Sequence, residues 1–177
     1  MAGSFLDDAL FTFRSYKKRA EKAFAQLRPE EWFSQIDPEA NSIAIIVKHM
    51  AGNMRSRWTN FLTSDGEKPD RNRDGEFVLD SSTTPEQVQQ WWENGWKLVF
   101  AAVEPLRAED LEKKVTIRGQ EYTVLEAISR QMTHYAEHIG QIILLAKHYR
   151  GAEWTSLSIP KGQSAMAGVS AEKARRA

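Results

Sequence analysis

His134 and His138 stand four residues apart in the tract His134-Tyr135-Ala136-Glu137-His138-Ile139-Gly140-Gln141, inside an apolar pattern of helical period. Four residues advance an α-helix by about 400°, leaving the two rings roughly 40° apart around the axis and about 6 Å apart along it. One divalent ion can take a nitrogen from each. The competing reading is a pair of hydrogen-bonded core imidazoles, which a lone histidine on an apolar face more often is. Of the four histidines in the chain, His49 belongs to a separate amphipathic segment, 43–53. If the two helices pack side by side, a three-histidine site follows. His148 lies within about 40° of the His134 meridian but some 21 Å further along the axis. It therefore reads as a surface or cap residue near a helix end.

Three neutral imidazoles leave a divalent ion its full charge and an open coordination position, as in catalytic rather than closed structural sites. Such an ion can lower the pKa of bound water to about 7, or take a thiol as thiolate. The chain has no cysteine, so any thiol must come from a substrate or cofactor. Imidazole ligation suits zinc, nickel, iron or copper, with zinc and nickel favoured. Asn53, four residues after His49, and Gln141, three after His138, stand where they could orient the rings or make ordinary interhelical hydrogen bonds. His134, Glu137 and His138 also spell the inverted zinc-protease string His-x-x-Glu-His. That chemistry needs a distal acidic ligand within a much larger domain than 177 residues of helical pattern provide. Glu137 accordingly reads as solvated or ion-paired, and no catalytic residue is assigned.

With 41% hydrophobic and 27% charged residues, the composition suits one globular domain. A formal charge of zero argues against a nucleic-acid binder and for a small molecule or another protein as partner, a small-molecule substrate being the expectation. The N-terminus lacks a basic region followed by an apolar core, and no apolar run reaches about 18 residues. A cytoplasmic protein outside the membrane is the expectation.

Four amphipathic helices must position the histidines. Leu6, Ala9, Leu10, Phe13, Tyr16, Ala20, Ala23, Phe24 and Leu27 hold the 3.6-residue period until Pro29 ends it, and Trp32-Phe33 covers the core. Asn41 or Ser42 caps a second helix whose stripe runs from Ile43 to Phe61. The polar stretch 63–75 is a functional loop or a mobile one. Thr84-Pro85-Glu86 starts a third helix, in which Trp92 and Trp96 serve the core or a dimer interface before they serve as a pocket floor. A hairpin or extended excursion about Gly119 fits 115–123, and Thr123-Val124-Leu125-Glu126 is a capping box opening the fourth helix, which runs to about Tyr149. The pattern predicts an all-α four-helix bundle over residues 1–159 and a loosely ordered tail over 160–177, with a possible helical turn or two at 171–176.

The second-helix string Lys48-His49-Met50-Ala51-Gly52-Asn53-Met54 and the fourth-helix tract around His134 and His138, together with the long first helix, resemble the DinB/YfiT-like superfamily over about residues 5–150. Asp65-Gly66-Glu67-Lys68-Pro69 and Asp74-Gly75-Glu76-Phe77 place the resemblance in a branch of unknown function. It implies an up-down-down-up bundle, a homodimer and one divalent metal held by His49, His134 and His138. It further implies transfer of a low-molecular-weight thiol such as mycothiol or bacillithiol, with hydrolysis as the other chemistry the site allows. No substrate-binding pattern accompanies the triad, so the alternative is a non-catalytic, stress-associated scaffold with a structural or vestigial metal.

Overall fold

The computed structural model describes residues 2–163 and 165, without the side chains of residues 2–4. Its first helix, α1, spans Ala2–Phe24. It stops short of the expected Leu27 because Arg28, which precedes Pro29, is extended at φ −79° and ψ 156°. The chain unwinds before it, Gln26 and Leu27 bonding back to the carbonyls of Ala23 and Phe24 at 3.1 and 3.0 Å. A 3-10 turn at Pro29–Trp32 then lays Trp32 on Phe24, 4.7 Å between ring centroids.

Helix α2 spans Ile43–Trp58, and Ser42 rather than Asn41 caps it, its hydroxyl accepting from the Ile45 amide at 3.3 Å. It ends before the expected Phe61 because Asn60 turns the backbone to φ 50°. Phe61 still reaches the core and packs on Trp58 at 4.8 Å. Helix α3, Pro85–Val103, opens with a capping box in which Thr84 and Gln87 satisfy each other's backbone amides at 3.3 and 3.0 Å. Strand β1, Lys114–Ile117, pairs antiparallel with β2, Gln120–Thr123, across Arg118 and Gly119 at φ 55° and 73°. Two consecutive positive φ values fit a two-residue hairpin turn. Thr123 and Glu126 form the expected capping box of α4, Val124–Arg150.

The four helices enclose one core. Helix α2 packs chiefly on α3 and α1 on α4, while α2 also meets α4. Phe13 of α1 touches a ring from each of the other three helices: Trp58 at 6.1 Å, Trp96 at 6.1 Å and Tyr135 at 5.9 Å. Trp92 and Trp96 are buried, as are Trp32 and Trp58, while Trp91 and Trp154 are half-buried. Of the uses expected of Trp92 and Trp96, the core is the one both side chains serve.

The stretch 63–75 is tied to the hairpin near its start rather than loose. Asp65 accepts from the amides of Arg118 and Gly119 at 2.9 and 2.8 Å, and the Gly66 amide donates to the Thr116 carbonyl at 2.7 Å. The fold is mostly helical, with one two-stranded hairpin before α4. No helix among the described residues is long and apolar enough to cross a membrane. The tail expected over 160–177 and the helical turns at 171–176 lie, beyond residue 163, outside the described residues apart from 165.

Candidate metal centre

The contact between α2 and α4 brings the three predicted histidines together. One nitrogen from each of His49, His134 and His138 lies within 4.8 Å of the other two. The ring centroids are 5.5 Å apart for His49 and His134, 5.0 Å for His49 and His138, and 4.6 Å for His134 and His138. Nε2 of His134 and Nε2 of His138 are 3.0 Å apart. A tetrahedral ion with bonds of about 2.0–2.1 Å needs its nitrogens roughly 3.3 Å from one another. The triad is therefore near the size of a single ion.

Two of the rings have their far nitrogen fixed. Glu76 Oε2 lies 2.9 Å from His49 Nδ1, and because a carboxylate only accepts, that nitrogen carries the proton and leaves the Nε2 lone pair for the centre. Gln141 Oε1 lies 3.0 Å from His138 Nδ1 and fixes that ring the same way. His134 Nδ1 is buried without a hydrogen-bond partner among the described residues. Facing lone pairs at 3.0 Å repel unless a proton or a cation sits between them. The donor set fits a divalent ion on these grounds.

Burial, reinforced by His138 and His49, pushes the His134 pKa down to about 3. His138 is lowered too, chiefly by burial, against its hydrogen bond to Gln141, which works the other way. Both are neutral near pH 7, the form that binds metal. Burial would raise the Glu76 carboxyl, but hydrogen bonds from Arg71 and His49 overcome it and hold the group below its usual value.

Glu76 arrives from outside the helices, and the sequence reading missed it. A 3-10 turn at Asp74–Phe77, started by Asn72 Oδ1 accepting from the Gly75 amide at 2.9 Å, carries it over α2. Phe77 stacks on His49 at 4.9 Å and 29°. Arg71 grips both Glu76 oxygens, Nε to Oε1 at 2.8 Å and Nη2 to Oε2 at 2.9 Å, and reaches Glu67 at 3.2 Å. Gly52 makes room: a Cβ there would fall 2.2 Å from Glu76 Oε1. The signal for Glu76 was the Asp-Gly turn dipeptide ahead of an acid and an aromatic residue, a pattern too common to assign a role alone.

Gln141 orients His138, as one of its two expected roles. Asn53 does not reach His49; its Oδ1 accepts from the Tyr135 hydroxyl at 3.2 Å, and that hydroxyl accepts from Trp58 Nε1 at 2.9 Å. The interhelical alternative holds for Asn53, and this buried network locks α2 to α4 beside the triad. Glu137 is exposed at the rim of the cavity next to the triad. His148 is exposed in the last turn of α4, against Tyr149.

Two cavities flank α2. His49 and His134 of the triad line one of about 450 Å³, on the side of α2 that carries His49, Asn53 and Arg57. The other, of about 480 Å³, lies between α2 and α3 on the side of Lys48, Gly52 and Arg55, and only Glu76 reaches from it toward the triad. A family model described as "Protein of unknown function (DUF1572)" matches residues 1–163. No curated protein and no solved structure matches the chain.

Proposed function

The chain belongs to DUF1572, a DinB-like family of unknown function, and on that premise we propose that it is a metal-dependent enzyme acting on a small molecule, with one divalent ion on His49, His134 and His138. The observation that carries this reading is the convergence of three imidazole nitrogens within 4.8 Å, two of the rings being fixed from behind by Glu76 and Gln141. When bound, a zinc or nickel ion would supply Lewis acidity at an open position, suited to water activation or to capture of an exogenous thiol. The protein's own part is to hold the three rings neutral, aim their lone pairs at one point and keep them there. Glu76 does this from a turn braced by Arg71; Gln141 does it from the next turn of α4. Thiol transfer and hydrolysis are both within this reading, and the up-down-down-up connection and homodimer implied by the resemblance belong to it.

Protein purified without added metal or a histidine tag should contain about one divalent ion per chain by elemental analysis. Less than about a tenth, with no binding on titration, sinks the reading. Metal-dependent turnover of a thiol or ester panel, abolished by His134→Ala, would separate the enzyme from a scaffold whose metal only stabilises. Light scattering tests the dimer, and a monomer at micromolar concentration rejects it.

A further inference from the structure

Arg57 lies eight residues after His49, two turns along the same face of α2, and its side chain is only 3% exposed. It lines the same cavity as His49 and His134. Its Nε and Nη1 have no hydrogen-bond partner among the described residues, and its nearest carboxylate, Glu67, stands 3.9 Å from Nη2. Glu67 is already engaged by Arg71 and by Arg118, at 3.2 and 3.1 Å. A buried guanidinium with two unmatched donors is an unfavourable arrangement in a folded chain unless something else completes it. Packing does not let it escape: the 65–67 loop backs it so closely that a Cβ on Gly66 would fall 2.7 Å from Nη1.

The same cavity holds a second unmatched group. Gln131, one turn before His134 on α4, is 2% exposed, and its Oε1 has no partner among the described residues. Arg57 and Gln131 offer opposite hydrogen-bonding characters, yet neither satisfies the other. Around the mouth stand Arg73, Arg118 and Arg130, all exposed; Arg118 is paired with Glu67 from behind, and the carboxylate lining the cavity is Glu137. The cavity is thus cationic in a chain whose formal charge is zero. Its volume of about 450 Å³ is that of a small-molecule site.

We propose that this cavity binds the anionic end of the substrate, a carboxylate or phosphate that takes the fork of Arg57 and carries a neighbouring N–H or O–H donor for Gln131, while the reacting end meets the triad. The proposal rests on the reading of the triad as a metal centre and adds the substrate class to it. Guanidinium is suited to this task because its planar donors match a carboxylate or phosphate edge in pairs. The exposed arginines steer anions inward, and the buried one fixes where they stop.

The test is calorimetric titration of the full chain, metal-free and zinc-loaded, with succinate, malate, inorganic phosphate and the neutral diamide of succinate. Saturable binding of at least one anion to the metal-free protein, at least tenfold tighter than the diamide and at least tenfold weaker in Arg57→Gln, is expected. Arg57→Lys should recover part of the affinity. Since Arg57→Gln could unfold, two second readings are taken: Gln131→Leu should weaken malate and phosphate, which carry an O–H, severalfold, and the surface variant Arg130→Gln should weaken every anion severalfold. Zinc affinity measured alongside should stay unchanged in Arg57→Gln. Anion binding to metal-free protein that equals the diamide, or that survives Arg57→Gln intact, overturns the proposal even if zinc binds. Failure of zinc to bind while anions still depend on Arg57 would instead remove the metal reading and leave the anion site standing.

Discussion

Gly52→Ala sets helix propensity against the geometry of the site. Gly52 lies inside α2, where alanine should gain about 1 kcal/mol over glycine if nothing else changed. The added Cβ, however, would fall 2.2, 2.5 and 2.9 Å from Oε1, Cδ and Cγ of Glu76. The end of a glutamate can ordinarily swing away, but this one is held by Arg71 at 2.8 and 2.9 Å and by His49 at 2.9 Å. The Arg71 and Glu76 side chains are 2% and 8% exposed, so moving the carboxylate off its partners leaves the buried Arg71 with Glu67 alone, a loss of up to about 3–5 kcal/mol. The net expectation is destabilisation by up to about 2–4 kcal/mol, the gain in propensity offsetting only part of the loss. Metal affinity should fall about 10–100-fold, because His49 loses the acceptor that fixes its tautomer. Urea unfolding of the metal-free protein and competition with a chromophoric chelator measure the two effects. Gly140→Ala is the control: nothing lies within 4 Å of its Cβ, so it should stabilise by about 0.5–1 kcal/mol and leave metal affinity alone. Were Gly52→Ala to behave like Gly140→Ala in both assays, the role given to Glu76 would be wrong.

Replacing His49, His134 or His138 singly by alanine should abolish stoichiometric zinc or nickel binding in equilibrium dialysis; any one variant that still holds a full equivalent excludes that ligand. Tyr135→Phe strips the hydroxyl between Trp58 Nε1 and Asn53 Oδ1 and should lower stability by about 1–3 kcal/mol in urea, since both groups stay buried without it. For the metal-free protein, the folded His134 pKa of about 3 lies below its usual 6.5, so the unfolded chain binds more protons in that window. Stability must therefore fall as pH drops from 6.5 toward 3, at less than the single-group ceiling of about 1.4 kcal/mol per pH unit because the ring is partly solvated. Urea midpoints at pH 7, 6 and 5 in chelator read this slope, and His134→Gln should flatten it; a slope unchanged by that substitution would refute the assignment.

The parts of the site written in local spacing were legible in the sequence, and the parts built by tertiary contacts were not. His134 and His138 follow from helical period alone, and so does Gln141, one turn further on. His49 needed α2 beside α4, an arrangement that periodicity leaves open and the resemblance supplied. Spacing places Asn53 on the right face of α2, but its amide reaches Tyr135 across the interface instead of the imidazole one turn back. Arg57 stands two turns from His49 on α2, but a cation on an amphipathic helix is normally solvated, so spacing does not single it out. Glu76 left only a common turn pattern in the sequence, since its position depends on a chain of contacts between distant segments. Asp65 ties the loop to the hairpin turn, Glu67 bridges Arg118 and Arg71, and Arg71 orients Glu76 against His49. The same Glu67 that completes this chain is the carboxylate beside Arg57, 3.9 Å from its Nη2 and shared with Arg71 and Arg118. Bracing the histidine and leaving a buried guanidinium open to a ligand are thus two consequences of one loop, which no periodicity within α2 or α4 could reveal.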